Sequence, residues 1–281
     1  RMIFRHFLRW PMRTALSALG VGLGIAVLII ALFWSDSINH MIQVYFVDAQ
    51  HQDVTVALSE PQSKTVLAEF RRMPGVLMAE SQRIVSVRFK AGQIEKRGSL
   101  IGIEPDARLN LVYDAKGKTL EVPESGIVLS TMLAKLLKVG VGGMLEVKVL
   151  EGRRPKLVLP VTRLFETYIG TPAYINLDVL ARQMREARTI NIVHLRADPA
   201  KAPALYKQLR ETPGVAAVNL RAAAVETFRQ TMDQTIMMFI GFFSMFAGAL
   251  TFGTVYNTAR ISLSERQREL ATLRVLGATR M

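Results

Sequence analysis

The chain has 281 residues, half of them apolar and 21% charged, with a formal net charge of +13. Thr14–Ser35 and Gln234–Ala259 carry no charged residue, while the stretch between them has the composition of a globular domain. A simple soluble enzyme is therefore excluded. So is a many-span channel made by this chain alone, since no third run reaches the ~18 residues needed to cross a bilayer. With no cysteine, disulfides, thiol catalysis and cysteine-rich zinc sites are excluded too.

Arg1, Arg5, Arg9 and Arg13 precede the first run. At 1.5 Å per residue that run reaches about 33 Å as a helix, enough for a hydrocarbon core of ~30 Å. It is too long for a signal core, and no small-x-small cleavage site follows Phe33-Trp34-Ser35-Asp36, which predicts a retained anchor. Gly20-x-Gly22-x-Gly24 has no preceding strand and opens no helix, so it is not a nucleotide loop. Gly20 and Gly24, four apart, instead suit the close approach of another helix.

Beyond the anchor, Asp53–Leu58 alternates as a half-buried strand, and Val66, Leu67 and Phe70 recur at helical spacing. Met73-Pro-Gly-Val76 stops that helix, and Val85, Val87 and Phe89 alternate again as a strand. The stretch 91–188 reads as strand-rich with one helix, Ser130–Lys138, which opens on a capping serine and gathers Leu133, Leu136 and Leu137 on one side. Gly140–Gly143 reads as a turn before the strand Leu145–Val149. Gly117-Lys118-Thr119 ends like an ATP-binding loop, but Val112 stands where that loop needs glycine, so a surface turn is expected. Then the first pattern returns: a strand at Asn191–Arg196, a helix carrying Leu205 and Leu209, a stop at Thr212-Pro-Gly-Val215, and a strand with Val218 and Leu220. Two strand–helix–Pro-Gly–strand copies around an insertion predict a split βαβ layer with helices on one face of a sheet.

His6, His40, His51 and His194 show no metal-ligand spacing, and the acids form no nucleophile or paired-carboxylate constellation. The basic residues form no stripe interleaved with aromatics, so no nucleic-acid partner is expected. No covalent chemistry, ATP hydrolysis or cofactor is expected of the chain.

In the second run Ser244 and Gly248, and Ala249 and Gly253, repeat the four-residue spacing of small residues. Arg260, Arg266, Arg268 and Arg274 follow it. Short basic flanks stay in the cytoplasm, so both ends read as inside and the middle domain as outside. Arg260–Leu276 is expected to form a separate cytoplasmic helix with Leu263, Leu270 and Leu273 on one side and Glu265, Arg268, Glu269 and Thr272 on the other. Glu265 and Glu269 are like charges four apart, a local conflict that a basic groove on a partner would relieve.

Val255–Ala278 closely resembles the signature of FtsX-like ABC transporter permeases: Asn257 near the cytoplasmic end of the second membrane helix, then Glu265-Arg266, Glu269-Leu270 and Gly277-Ala278. Arg9–Leu16 resembles the start of that family's first membrane helix. The paired Pro-Gly-Val units resemble the porter-like part of a MacB-type periplasmic core domain, and Val128–Ala134 with Gly143–Leu145 its inserted part. The resemblance implies an α+β membrane protein in which two transmembrane helices flank an extracytoplasmic domain. Its parts are a basic N-terminus and first helix (1–36), a core domain (37–231), a second helix (232–259) and a coupling helix (260–281). Within the core domain, 50–90 and 189–225 are porter-like and 91–188 is inserted. The resemblance further implies a non-enzymatic permease subunit of the bacterial inner or cytoplasmic membrane. Its partners would be a cytoplasmic ABC ATPase, a second permease half or protomer, the lipid bilayer, and an extracytoplasmic adaptor or substrate-binding protein. Glu265, Arg266, Arg268, Glu269 and Leu270 would engage the ATPase; Gly20, Gly24, Ser244, Gly248, Gly253 and Asn257 would pack helices. Two further membrane helices would follow Met281, so the chain is expected to be a piece of a longer permease. Read from its layout alone, it also fits a two-span membrane sensor with an extracytoplasmic ligand-binding domain.

Overall fold

The computed structural model describes residues 11–114 and 117–275. The chain divides into two compact units: Asn39–Phe228, and a helical unit combining the chain up to Ile38 with the chain from Arg229. Helix α1 spans Pro11–Ile42 and passes into a π-helical segment, Gln43–Asp48.

Each strand–helix–strand copy takes the expected form. The first is β1 (Val54–Ser63), α2 (Leu67–Arg72) and β2 (Val76–Ala91). The second is β10 (Thr189–Ala197), α5 (Ala202–Glu211) and β11 (Val215–Leu220). The copies interleave in the order β11-β1-β10-β2, each neighbour antiparallel, so β10 lies between the two strands of the first copy. This is the split βαβ layer. Strand pleating turns Val54 and Val56 of β1, and Val193 and Leu195 of β10, toward the helices. There they meet Leu67 and Phe70 of α2 and Leu205 and Leu209 of α5, all buried. Both helices stop at Pro-Gly because the glycines, Gly75 at φ +90° and Gly214 at φ +84°, take a left-handed conformation that side chains resist.

The insertion supplies the second core. Its strands are β3 (Ile94–Ile103), β6 (Ile127–Ser130), β7 (Met144–Val149), β8 (Lys156–Phe165) and β9 (Ala173–Asn176). Pairing runs β2-β3-β9-β6-β8-β7, and Val87–Lys90 of β2 pairs with β7 as well, so the strands close into a small barrel. Phe89, Leu100, Leu129, Leu145 and Ile175 fill it. The sixteen-residue β2 serves both parts: Ala79 packs in the first core, whereas Val85, Val87 and Phe89 pack in the barrel.

The insertion holds two helices rather than the one expected. The first, α3 (Thr131–Leu137), is capped by Ser130, whose hydroxyl accepts from Leu133 N at 3.3 Å. The unforeseen α4 (Leu177–Met184) is capped by Asn176, which accepts from Asp178 N at 2.8 Å. The apolar alternation of β9 at Ala173 and Ile175 runs on through Leu177 and Val179, so the sequence reads as strand where α4 begins. Gly117 sits in a turn as expected, but Lys118 and Thr119 belong to a short strand, β5 (Lys118–Leu120), paired with β4 (Val112–Asp114). Gly142 donates its N–H to Val161 O at 2.7 Å, so the Gly140–Gly143 turn docks on β8.

The final helix, α6, runs Arg221–Val275. No break occurs at Arg260, so the separate helix expected there is a continuation of α6. Neither proline nor glycine occurs between Thr254 and Val275 to interrupt it. Within α6, Arg221–Gly253 is long and apolar enough to cross a membrane; in α1 the apolar stretch is the shorter Ala18–Val27. Among the described residues, one helix thus meets the spanning measure.

Candidate functional site

The residues expected to contact an ATPase, Glu265, Arg266, Arg268, Glu269 and Leu270, lie in the last turns of α6. Their side chains, that of Asn257, and all of Gly277 and Ala278 lie outside the described residues. Of the small residues expected at helix contacts, Gly20 is buried, and a Cβ there would lie 3.9 Å from Thr251 Oγ1, an ordinary van der Waals contact. At Gly24, Gly248 and Gly253 a Cβ would meet nothing within 4 Å, and Ser244 is exposed.

A site that the sequence did not disclose lies within Asn39–Phe228. The sheet face opposite α2 and α5 carries the alternate side chains of the same strands. Thr55 of β1 pairs in register with His194 of β10, and Ile192 of β10 with Gln82 of β2. Ile84 of β2, Ile101 of β3 and Tyr174 of β9 form the next row. Together they floor a cleft of about 510 Å³. Tyr45 from the π-helical segment and Asn110 from the loop after β3 also line it.

That loop is held down by carboxylates. Glu80 accepts from Arg108 N and Leu109 N, both at 2.8 Å. Glu104 accepts from Lys64 Nζ at 2.9 Å, and from the N–H and hydroxyl of Ser81. Burial pushes the Glu104 carboxyl upward, but these hydrogen bonds outweigh it and hold the group below its ordinary value. Leu111 N donates to Ala49 O at 2.9 Å and His51 N to Leu109 O at 2.7 Å, fastening the loop to the segment before β1. Arg221 completes the frame, reaching Phe46 O at 3.2 Å and Gln50 O at 2.9 Å.

His194 is the centre of the cleft's polar network. Its Nδ1 lies 3.1 Å from Thr55 Oγ1, and its Nε2 lies 3.0 Å from Gln82 Oε1 and 3.1 Å from Asn110 Nδ2. Burial drives its pKa down to about 4, so the ring is neutral at physiological pH. Burial likewise raises the phenols of Tyr174 and Tyr45, and their mutual proximity adds to the effect at Tyr174. The cleft therefore presents neutral donors and acceptors. Among the described residues that line it, none is Asp, Glu, Lys or Arg. Among the described residues, no group of three or more potential ligands is placed to hold a metal ion.

His194 had carried no weight in the sequence because it has no ligand spacing. Its place in the alternation, between Val193 and Leu195, does put it on the face away from the helices. Nothing local indicates that a distant loop covers that face.

No family model and no curated protein sequence matches the chain. Among solved structures, it is similar to the extracellular domain of the noncanonic ABC-type transporter YknZ from Gram-positive bacteria. That similarity has a TM-score of 0.39 and 13% identity, covering 60% of this chain and 98% of that one. It is also similar to the periplasmic region of MacB from Actinobacillus actinomycetemcomitans, with a TM-score of 0.41 and 10% identity over 66% of this chain and 95% of that one.

Proposed function

We propose that the chain is a membrane permease subunit of an ABC transporter. In this reading a separate cytoplasmic ATPase supplies the energy, and the domain Asn39–Phe228 handles an extracytoplasmic substrate or passes motion to an extracytoplasmic partner. One observation carries the reading: α6 runs as a single helix from the end of β11, through the uncharged run Gln234–Ala259, to the Glu265-Arg266-x-x-Glu269-Leu270 block. In this reading the block lies beyond the membrane run, where a cytoplasmic ATPase can engage it.

The basic residues on the outer flanks of both apolar runs support cytoplasmic termini and an extracytoplasmic domain. In the bilayer every backbone polar group must be satisfied internally, and helices through both runs meet that demand. Glu265, Arg266, Arg268, Glu269 and Leu270 are assigned to the ATPase contact. Gly20, Gly24, Ser244, Gly248, Gly253 and Asn257 are assigned to packing against helices of the complete permease. The substrates within this reading are lipoproteins, lipids, peptides or drugs.

The test is Glu265→Lys combined with Glu269→Lys in the complete permease. Membrane insertion should be unchanged while co-purification of the ATPase falls at least tenfold; an unchanged yield of ATPase would remove the coupling assignment. The polar cleft favours a second reading, a two-span sensor, which predicts that ligand binding alters a signalling partner rather than an ATPase.

A further inference from the structure

The cleft around His194 has a composition that selects its ligand. Four primary amides line it, Gln50, Gln52, Gln82 and Asn110, each able to donate and accept. Hydroxyls come from Thr55, Ser99, Thr167 and Thr171. Tyr45, Tyr113 and Tyr174 offer flat apolar rings with a hydroxyl at one end. Ile84, Ile101 and Ile192 give the floor an apolar surface between the polar groups.

One polar group in the cleft is short of a partner. His194 Nε2 offers one proton or one lone pair, yet the amides of both Gln82 and Asn110 lie within 3.1 Å of it. A single ring nitrogen satisfies only one of them along its in-plane direction, which leaves the other available. A polar group without a partner costs free energy, and a ligand bearing donors and acceptors can pair with the amide left over.

The absence of charge is as informative. An anionic or cationic ligand would leave water without an opposite charge among the described residues of the cleft, at a cost that few hydrogen bonds offset. An extended peptide is disfavoured for a separate reason. In the floor, β1, β10, β2 and β9, and Leu100–Ile103 of β3, each lie between two paired neighbours. Along these stretches recognition by added backbone ladders is closed, and side chains must do the reading. The volume, about 510 Å³, falls in the range of small-molecule sites.

We propose that the cleft between β1, β10, β2, β3 and the loop carrying Asn110 is a binding site for an uncharged saccharide. The amides and hydroxyls pair with its hydroxyl and N-acetyl groups, and the tyrosine rings cover its apolar faces. The site stands whether or not the chain serves an ATPase.

The test uses the 281-residue chain in phosphatidylcholine nanodiscs, free of sugar-headed detergent, titrated by calorimetry and saturation-transfer NMR. Probes are N,N′-diacetylchitobiose and maltose, with their charged counterparts, the de-acetylated disaccharide and maltobionate, and a neutral capped tripeptide. At least one neutral disaccharide should bind and shift the His194 ring resonances, with each charged counterpart at least tenfold weaker. Asn110→Ala and Tyr113→Phe should each weaken binding at least threefold while the melting temperature stays within a few degrees. Tyr113→Phe removes one oxygen and carries the test if Asn110→Ala unfolds. Absence of binding by both neutral disaccharides at 10 mM to folded protein would overturn the proposal. Equal affinity for the charged sugars, tighter binding of the tripeptide, or full affinity in both variants would do the same.

Discussion

Acidification should destabilise the domain Asn39–Phe228 through His194 in a way that a single substitution removes. The unfolded chain protonates this histidine near its ordinary value of 6.5, whereas burial holds the native ring to about 4. Above 6.5 neither state binds the proton, and histidine contributes nothing to the pH dependence. Between 6.5 and about 4 the unfolded state takes a proton that the native state refuses, so stability falls as pH falls. The gap corresponds to about 3 kcal/mol when complete, most of it reached by pH 4.5. The groups facing the ring from β1, β2 and the covering loop, Thr55, Gln82 and Asn110, are uncharged. Glu80, opposite His194 in register, has both carboxylate oxygens committed to backbone N–H groups. Thr55, Gln82 and Asn110 are therefore the groups that hydrogen-bond the ring, and none of them carries a charge to balance an imidazolium. Denaturant titrations of residues 39–228, followed by far-UV circular dichroism at pH 7 and 4.5, should show a larger loss in the wild type than in His194→Gln, by about 2–3 kcal/mol. All other titrating groups are common to the two proteins and cancel. Parallel losses in both, or an imidazole that titrates near 6 in a histidine NMR experiment, would refute the reasoning.

Gly126→Ala should cost about 2 kcal/mol or more in denaturant titrations, since φ is +73° and a Cβ would lie 2.4 Å from Pro160 O; a neutral effect would mean that the barrel shifts freely there. Leu100→Ala, at a fully buried barrel position, should cost about 2–5 kcal/mol by the same measurement, and a loss under 1 kcal/mol would count against a packed barrel core. Protease added outside spheroplasts should cut within the domain and spare both termini; a protected domain would reverse the proposed topology.

The repeat was legible in the sequence because its determinants are local: alternation in β1 and β10, helical spacing at Leu205 and Leu209, and the two Pro-Gly stops. The same holds for the helicity of both uncharged runs, where length and apolarity suffice. The permease reading rests on the pattern from Asn257 onward, whose spacing is likewise a property of the chain alone. Closure of the barrel was not legible. It depends on β2 being long enough to pair with β10 at one end and β7 at the other, and those partners lie far apart along the chain. Helix α4 was masked because the apolar alternation of β9 runs on through Leu177 and Val179, although its Asn176 cap was a readable sign. The cleft is the clearest case of a feature that tertiary structure alone decides. His194 stands at an ordinary outward position in an alternating strand, and its sequence neighbours predict a solvated ring. It is buried and neutral because a loop some 84 residues earlier, anchored by Glu80 through backbone N–H groups, brings Asn110 to within 3.1 Å of it. Alternation settles which face a side chain takes; what covers that face depends on distant segments brought together by folding.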